Sequence, residues 1–455
     1  MHSLKQYIRK EGSGSGSKFP VYMKVCLLLQ LYCLQPLAAQ AQACLPLDDF
    51  YDAVDAGQAG IAGTLRNLMP ACLENTEYFA LLGAALLNTG QVAESMEALE
   101  RALLLDPENG AAQIDYAQAL YLGQQLFPAL EINTRLLART DLPPNIRELL
   151  QQRQALWQAE TTASSLQAEL SLGYDNNLNG APLSNELTLT LSGETITLPL
   201  APSFQPQEGP YLNTRLLGSR QKLSPNALHE GYFVLRSRNS ESGSTDLAQF
   251  DWRYAQTRTF RRYQWGFEAG TSHLYYGGSP LFSIYEASAR IRPQGTGCKP
   301  QLSVVAQIQQ YHGQSIISGL ESNLSAGIEC RLPEASQVFG INAGLLDNHA
   351  ADSQRPGGDR SGWRLSLYWQ TTILAGFLNT QLNFVSLDDD QGYNPLLAGG
   401  ASRNVDNKVF RTRYSKKLSE NLTGLISISY QKQGSNIKTF ANDGAAGEIG
   451  INFQF

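Results

Sequence analysis

The last eight residues of the chain are Glu448-Ile449-Gly450-Ile451-Asn452-Phe453-Gln454-Phe455. Their apolar side chains stand at every second position, with polar or small residues between them. A period of two is typical of a β-strand that has one apolar and one polar face. These residues therefore predict a strand that is apolar on one side only.

The same alternation recurs upstream in about fourteen segments, beginning near Ser165. Phe250, Trp252 and Tyr254, for example, alternate with Asp251 and Arg253. Short turns at one end and longer loops rich in Gly, Ser and Asn at the other are typical of outer-membrane barrels. We therefore predict that residues 161–455 form an antiparallel β-barrel of about 14 strands in the lipid bilayer of a Gram-negative outer membrane.

The final strand also carries a predicted signal for insertion. An alternating strand that ends on an aromatic residue resembles the terminal strand that the outer-membrane assembly machinery recognises. We predict that role for Ile449, Ile451, Phe453 and Phe455.

Residues 45–160 have apolar residues at helical spacing instead. The spacing is that of a tetratricopeptide repeat, in which small residues let two helices cross closely. We predict a short periplasmic solenoid over residues 44–160, whose concave face suits an extended peptide; the alternative is a spacer. The residues that carry the pattern are Phe79, Leu82, Gly83, Leu99, Ala102 and Pro107, followed by Tyr116, Ala117, Leu120 and Ala129.

Charge separates the two parts of the chain. Residues 45–160 contain six Arg, no Lys and sixteen Asp or Glu, a net charge of −10. Nucleic acid binding needs clustered Lys and Arg, so this composition argues against a nucleic-acid ligand.

Residues 1–43 are predicted to be a leader. A basic start, an apolar run and small residues near Ala43 indicate a signal peptide over about residues 23–43, and the residues before it lie outside the predicted fold. Four cysteines follow the leader, and an even number in an exported chain predicts disulfides. Four cysteines allow three connectivities, and the local spacing favours Cys44 with Cys72 and Cys298 with Cys330.

Charged residues on the polar face of the predicted strands define a lumen with both signs of charge. One interpretation is a network that braces the wall, and the other is a polar path for a passing chain. These candidate lumen residues are Arg215, Asp251, Arg253, Glu286, Arg290, Glu329, Arg411 and Arg413.

Catalytic and metal-binding patterns are weak. No Gly-x-Ser-x-Gly elbow accompanies His229, His273, His312 and His349. We expect these histidines to be solvated loop side chains, and the alternative is contact with a metal or haem at the surface. Asp388, Asp389 and Asp390 lack the spacing of a calcium-binding loop, and we expect them to be solvated side chains of a loop. We expect no enzyme activity, no cofactor and no bound metal.

Two stretches resemble the Slam family, the surface lipoprotein assembly modulators. They are Leu142-Pro143-Pro144-Asn145 after the repeats and Leu172-Gly173-Tyr174-Asp175-Asn176-Asn177-Leu178-Asn179 at the first strand, followed by residues 187–200 with Gly193. The order of helical repeats and barrel is similar too. The motif residues are Gly173, Tyr174, Asp175, Asn177 and Asn179, which also suit a simple strand end and turn.

The resemblance implies an outer-membrane translocator. Its partners would be an exported cargo protein, either a surface lipoprotein or a small haem- or metal-binding protein, and a periplasmic chaperone that carries it. Two alternatives stay open: an exopolysaccharide exporter of the repeat-plus-barrel type, and a passive porin.

Overall fold

The computed structural model describes residues 44–295, 297–332 and 336–455. The chain divides into two compact units, Met1–Thr140 and Asp141–Phe455. The expected signal peptide lies outside the described residues.

Seven α-helices precede the barrel in the described part of the chain. None of the helices described is long and apolar enough to cross a membrane. Their bounds are α1 Asp48–Asp55, α2 Ile61–Leu68, α3 Thr76–Asn88, α4 Val92–Leu105, α5 Gly110–Leu122, α6 Leu126–Leu137 and α7 Pro144–Ala159.

The pairs α3–α4 and α5–α6 repeat the same buried positions. Gly83 and Ala117 are equivalent, and so are Leu99 and Asn133; the members of each pair are one tetratricopeptide period apart, and all four are buried. A Cβ at Gly83 would lie 2.4 Å from Leu99 Cγ, so only glycine permits the close crossing of α3 and α4. The predicted helical repeat is confirmed.

Side-chain bonds and a disulfide join the helices of the first unit. Cys44 and Cys72 are linked by a disulfide. The Tyr51 hydroxyl of α1 donates to the Glu77 carboxylate of α3. Burial, followed by this bond and the negative charge of Glu77, raises the pKa of Tyr51 to about 12.

Fourteen antiparallel strands form a closed barrel, in which the first strand pairs with both the second and the last. Between the first two barrel strands, a separate hairpin lies in the connecting loop. The strands are β1 Thr162–Asp175, the hairpin β2 Glu186–Leu191 and β3 Glu194–Pro199, then β4 Gly209–Ser224, β5 Ala227–Ser240, β6 Leu247–Phe260, β7 Tyr263–Tyr276, β8 Ser279–Pro293, β9 Cys298–Tyr311, β10 Gly319–Leu332, β11 Gln337–Ala350, β12 Arg360–Ile373, β13 Gly376–Gly392, β14 Ser402–Lys417, β15 Leu422–Ser435 and β16 Asn442–Gln454.

Alternation decides which face of each strand points outward. Ile449 and Ile451 of β16 are 64% and 46% exposed, as a membrane-facing surface requires, while Glu169 and Ser171 of β1 are buried on the lumenal side. Turns of two to four residues join the strands at the end where β1 begins, which we call the turn end. Longer loops gather at the opposite end, the loop end, apart from the two-residue turn between β7 and β8. The predicted barrel is confirmed.

A second disulfide closes the β9–β10 hairpin at the turn end. Cys298 and Cys330 are directly paired in the ladder and joined by a disulfide. Their equal parity in the sequence places both side chains on one face of the sheet.

Candidate functional site: the seam of the barrel

The seam is the ladder between β1 and β16, where the barrel closes. It has nine residue pairs, Gln167–Asp175 against residues 446–454, the fewest of any barrel ladder among the described residues. On its other side β1 pairs with β4 over its whole length, Thr162–Asp175. Gly447 and Gly450 lie within the paired part of β16, and glycine weakens a strand because it adds no side-chain packing. The backbone alone therefore holds this ladder less firmly than its neighbours.

A row of three residues crosses the seam on the lumenal face. Glu448 of β16, Gly173 of β1 and Tyr211 of β4 are consecutive partners in the two ladders. The Tyr211 hydroxyl donates to Glu448 Oε1 at 2.8 Å, passing over Gly173. A Cβ at Gly173 would lie 2.4 Å from the Tyr211 ring, so the glycine makes this bond possible.

A second carboxylate spans the seam in the opposite direction. Glu169 of β1 accepts two hydrogen bonds from Arg413 of β14, at 3.1 and 2.7 Å, although β16 and β15 lie between those strands. Arg215 of β4 stands directly opposite Glu169, with its Nη1 3.9 Å from Oε2. Because Glu169 is 6% exposed, its two charge-assisted hydrogen bonds with Arg413 lie away from bulk solvent. We call the Glu169–Arg413 and Glu448–Tyr211 contacts the seam straps.

The motif that follows Gly173 forms the loop end of the seam. Asp175 Oδ1 accepts from the backbone N–H of Asn177 at 2.8 Å, which is an Asx turn. Its other oxygen lies 3.4 Å from Arg238 Nη1 of β5. Tyr174 points outward and is 50% exposed.

Asn177 and Asn179 fold the long β1–β4 loop. The Asn177 amide donates to the carbonyl of Ala181 within the loop and, at 2.7 Å, to that of Asp443 at the start of β16. The Asn179 amide donates to the Gln205 carbonyl at 2.8 Å. The motif therefore has a structural role, and one of its contacts reaches across the seam.

The β2–β3 hairpin of the β1–β4 loop reaches further round the loop end of the barrel. Ser192 and Gly193 have φ values of 52° and 87°, the pair of positive angles that a tight type I′ hairpin turn needs. The Thr190 N–H donates to the carbonyl of Leu396 at 2.8 Å, in the loop between β13 and β14. One loop thus contacts both β16 and the β13–β14 loop.

Away from the seam, most of the predicted lumen charges contact other polar side chains in the lumen. Arg253 pairs with Glu268 and Glu286, and Asp251 accepts from the Gln249 amide at 3.0 Å. Glu329 accepts from Tyr368. Arg290 lies beside Gly266, and Arg411 lines a pocket of about 290 Å³ below the β1–β4 loop.

At the loop end, a buried carboxylate organises three strands. Asp389 of β13 is 6% exposed and lies 3.1 Å from Arg360 and 3.2 Å from Arg403. Arg403 also stacks on the rings of Tyr393 and Phe440. The expectation of a solvated aspartate loop is wrong for Asp389.

The histidines do not behave alike. His229 bonds to the Tyr254 hydroxyl at 2.7 Å, and His349 lies 3.0 Å from Asp359. His273 is half-buried within β7, so the expectation of a solvated loop residue is wrong for it. No group of three or more His, Cys, Asp or Glu residues is placed to hold a metal ion within the part of the chain that the structure describes.

No protein-family model and no curated protein matches the chain. Among solved structures, the anion-selective porin from Comamonas acidovorans is 8% identical and covers 65% of this chain and 100% of its own, with a TM-score of 0.35. A bacterial polysaccharide outer membrane secretin is 11% identical over 63% of this chain and 98% of its own, with a TM-score of 0.33. The Yersinia enterocolitica type III secretion chaperone SycD, in complex with a peptide of the translocator YopD, is 16% identical over 25% of this chain and 93% of its own, with a TM-score of 0.22. These similarities assign no function.

Sequence reasoning missed one residue of the first strap and both residues of the second. Arg413 was among the lumen candidates, but its partner Glu169 was not, and neither Glu448 nor Tyr211 was singled out. Alternation marks all of them as lumenal. The signal available in the sequence is a lumenal carboxylate on the first or the last strand, which Glu169 and Glu448 both provide.

Proposed function

We propose that the protein is an outer-membrane translocator that delivers partner proteins to the cell surface through its seam. The cargo would be a surface lipoprotein or a small haem- or metal-binding protein. The observation that carries the proposal is the construction of the seam: a short ladder held by side-chain straps and covered by one loop. Since outer-membrane barrels place their longer loops outside the cell, the loop end would face the medium and the turn end the periplasm.

Opening of the β1–β16 ladder is energetically favourable only when another strand replaces the lost pairing. Each backbone hydrogen bond contributes about 1 kcal/mol net, so a nine-pair ladder is worth on the order of 10 kcal/mol. In a bilayer an unpaired strand edge costs more still, because no water satisfies it. A cargo strand that pairs with β1 or β16 replaces the lost bonds, as in β-strand addition.

The straps suit this exchange because both are polar and lie inside the barrel. A cargo segment with its own Arg or carboxylate can take the place of Arg413 or Glu169 without leaving a buried charge unpaired. Fixed apolar packing would lack this property.

The acidic helical unit would capture the cargo or the chaperone that carries it. A net charge of −10 without a single Lys attracts basic surfaces over a range set by salt, and steers encounter more than it determines final affinity. Helical repeats commonly hold extended segments on their concave face.

The test is a disulfide across the seam. Gln167 and Gln454 are direct partners in the seam ladder, so Gln167→Cys with Gln454→Cys can lock it. Thr380→Cys with Thr412→Cys is the matched control, because these directly opposed residues join β13 to β14, away from the seam. Surface proteins are identified by protease shaving of intact cells that produce each variant.

We expect cells lacking the protein, and cells with the locked seam, to lose the same surface protein and to retain it in the periplasm. A reducing agent should restore export, and the control lock should leave it unchanged. Export at the normal rate through a locked seam would contradict the proposal.

Two further outcomes separate the alternatives. Loss of exopolysaccharide with an unchanged set of surface proteins would indicate a polysaccharide exporter. Uptake of small sugars by liposomes, without either change in cells, would indicate a porin. Deleting residues 45–160 while keeping the leader tests delivery: if the shortened barrel displays cargo at the full rate, the helical unit is a spacer.

A further inference from the structure

A serine on the outer face of the barrel is shared by two histidines. His273 Nδ1 lies 2.8 Å from Ser283 Oγ, and His312 Nε2 lies 2.8 Å from the same oxygen. On the far side of its ring, His273 Nε2 lies 3.0 Å from Thr271 Oγ1. The four side chains form one continuous chain of hydrogen bonds across β7, β8 and the residue that follows β9.

This cluster faces the membrane. His273 and Ser283 are direct partners in the β7–β8 ladder, so their side chains share one face. The neighbours on that face of β8, Leu281 and Tyr285, are 42% and 45% exposed, as membrane-facing side chains are. His273 is three residues from the end of β7, which places it about 10 Å below the loop end of the strand.

Polar side chains at this position are unusual. A lipid-facing strand position normally carries an apolar or aromatic residue, because polar groups there lose their contact with water. The structure pays this desolvation cost at three neighbouring residues and satisfies them with one another. Ser283 is 2% exposed, while His312 is exposed at the start of the β9–β10 loop.

These hydrogen bonds place a base, His273, where it can accept the hydroxyl proton of Ser283. A hydroxyl donates one proton, so Ser283 donates to one histidine and accepts from the other. When it donates to His273 Nδ1, the Nε2–H of His273 donates to Thr271 and the Nε2–H of His312 donates to Ser283. Nucleophile, base and orienting group then stand in the order that acyl-transfer sites require.

We propose that Ser283, His273 and Thr271 form a catalytic site that hydrolyses acyl esters of lipids in the outer leaflet. Phe250 stacks on His273 with ring centroids 6.4 Å apart. It also lines a groove of about 710 Å³ on the outside of the barrel, together with Leu170, Leu216, Leu235, Tyr275 and Ile451. An acyl chain in this groove brings its ester group to the cluster.

The reaction proceeds in two balanced steps. The His312 side chain first rotates away from Ser283 Oγ to admit the ester. Ser283 Oγ then attacks the carbonyl carbon of the ester, and the hydroxyl proton of Ser283 passes to His273 Nδ1. The tetrahedral intermediate expels the alcohol, which takes that proton, and leaves an acyl-serine. Water then attacks the acyl-serine with His273 again as the base, releasing the fatty acid and restoring the Ser283 hydroxyl. The Nε2–H of His312 is available to the carbonyl oxygen as it gains negative charge.

The experiment uses the full chain in detergent micelles. A fluorophosphonate probe labels activated serines, and hydrolysis of p-nitrophenyl laurate is followed beside that of p-nitrophenyl acetate. The variants are Ser283→Ala and His273→Phe. The matched controls are Ser303→Ala, which removes a hydrogen-bonded strand serine from the lumenal side, and His229→Phe, which removes a histidine that bonds to a tyrosine.

We expect labelling at Ser283 in the unaltered protein and faster turnover of the long-chain ester. Ser283→Ala should abolish both, and His273→Phe should lower kcat by about 10²- to 10⁴-fold, the usual contribution of a general base. The controls should retain full activity. All variants are first checked for the gel shift of an intact barrel, so that loss of folding is not mistaken for loss of chemistry.

The proposal is overturned if the intact protein is not labelled and does not hydrolyse either ester, or if Ser283→Ala hydrolyses at the original rate. It is independent of export, because the locked-seam variant retains every residue of the cluster.

Discussion

Among the barrel residues that the structure describes, the same three-residue row occurs twice, once at the seam and once in the continuous wall. At the seam, Glu448, Gly173 and Tyr211 are consecutive ladder partners. In the wall, Glu329 of β10, Gly340 of β11 and Tyr368 of β12 are arranged in the same way, and the Tyr368 hydroxyl donates to Glu329 at 2.5 Å. A Cβ at Gly340 would lie 2.3 Å from the Tyr368 ring, as close as the contact at Gly173.

The difference lies in what else joins the strands. Four residues connect β10 to β11, and nine connect β11 to β12. Cys330, which is adjacent to Glu329, is also covalently bonded to Cys298 of β9. No turn joins β1 to β16, and no disulfide links them among the described residues. Identical chemistry therefore reinforces a ladder that is already fixed in the wall, whereas at the seam it secures the closure of the barrel.

The largest expected effect belongs to the wall. Replacing Cys298 and Cys330 with alanine should lower the free energy of unfolding by about 3–4 kcal/mol in the chain-entropy account of disulfides. Urea titration of the detergent-folded protein, followed by its gel shift, measures this. The Cys44→Ala, Cys72→Ala variant is the control and should leave the unfolding midpoint of the barrel unchanged. An unaltered midpoint after removal of Cys298 and Cys330 would show that the wall does not depend on its covalent link.

The second prediction compares where hydrogen exchange becomes faster when an ion pair is broken at the seam and in the wall. Glu169→Gln leaves Arg413 without its carboxylate and should cost about 2 kcal/mol, since Arg413 keeps part of its side chain in contact with solvent. Hydrogen exchange should become faster in β1 and β16. Glu286→Gln breaks the matching pair with Arg253 and should speed exchange in β6 and β8 instead. If both variants changed exchange at the seam equally, the Glu169–Arg413 strap would not be what holds β1 against β16.

The smallest effect compares the two rows directly. Tyr211→Phe and Tyr368→Phe each remove one hydroxyl that donates to a carboxylate, and each should cost about 1.5 kcal/mol. The carboxylates keep other donors, Ser427 for Glu448 and Arg331 for Glu329. Only Tyr211→Phe should raise exchange in β16. If Tyr368→Phe raised it equally, the seam would be no more labile than the wall.

Alternation along the chain was sufficient to predict the barrel. A period of two identifies the face of each residue, which is why Arg413 and Glu329 could be recognised as lumenal from the sequence. It does not identify partners: the Glu169–Arg413 contact depends on the stagger of β1 against β16 and on side chains that reach over two intervening strands. Such contacts involve residues distant in sequence, and no local pattern records them.

The membrane-facing cluster shows a second limit. His273 and Ser283 have the same parity, yet an irregularity between Leu274 and Tyr275 shifts the β7–β8 register near the loop end. A sequence pattern does not reveal that shift, so the direct opposition of the two residues could not be predicted. The helical repeats were easier, because Gly83 and its equivalent Ala117 recur at a fixed period. The cargo, the chaperone and the signal peptide stay predictions.

The seam row also bears on how accurately the barrel closes during assembly. A slip of β1 by one residue would turn Gly173 to the lipid side and Leu172 into the lumen, and a slip by two would place Ser171 or Asp175 beneath the Tyr211 ring. Each alternative puts a side chain where the phenol must pass and leaves Glu448 without that donor. Since the stagger of the strands determines the width and tilt of a barrel, one glycine beneath one tyrosine selects a single diameter when the last strand docks against the first.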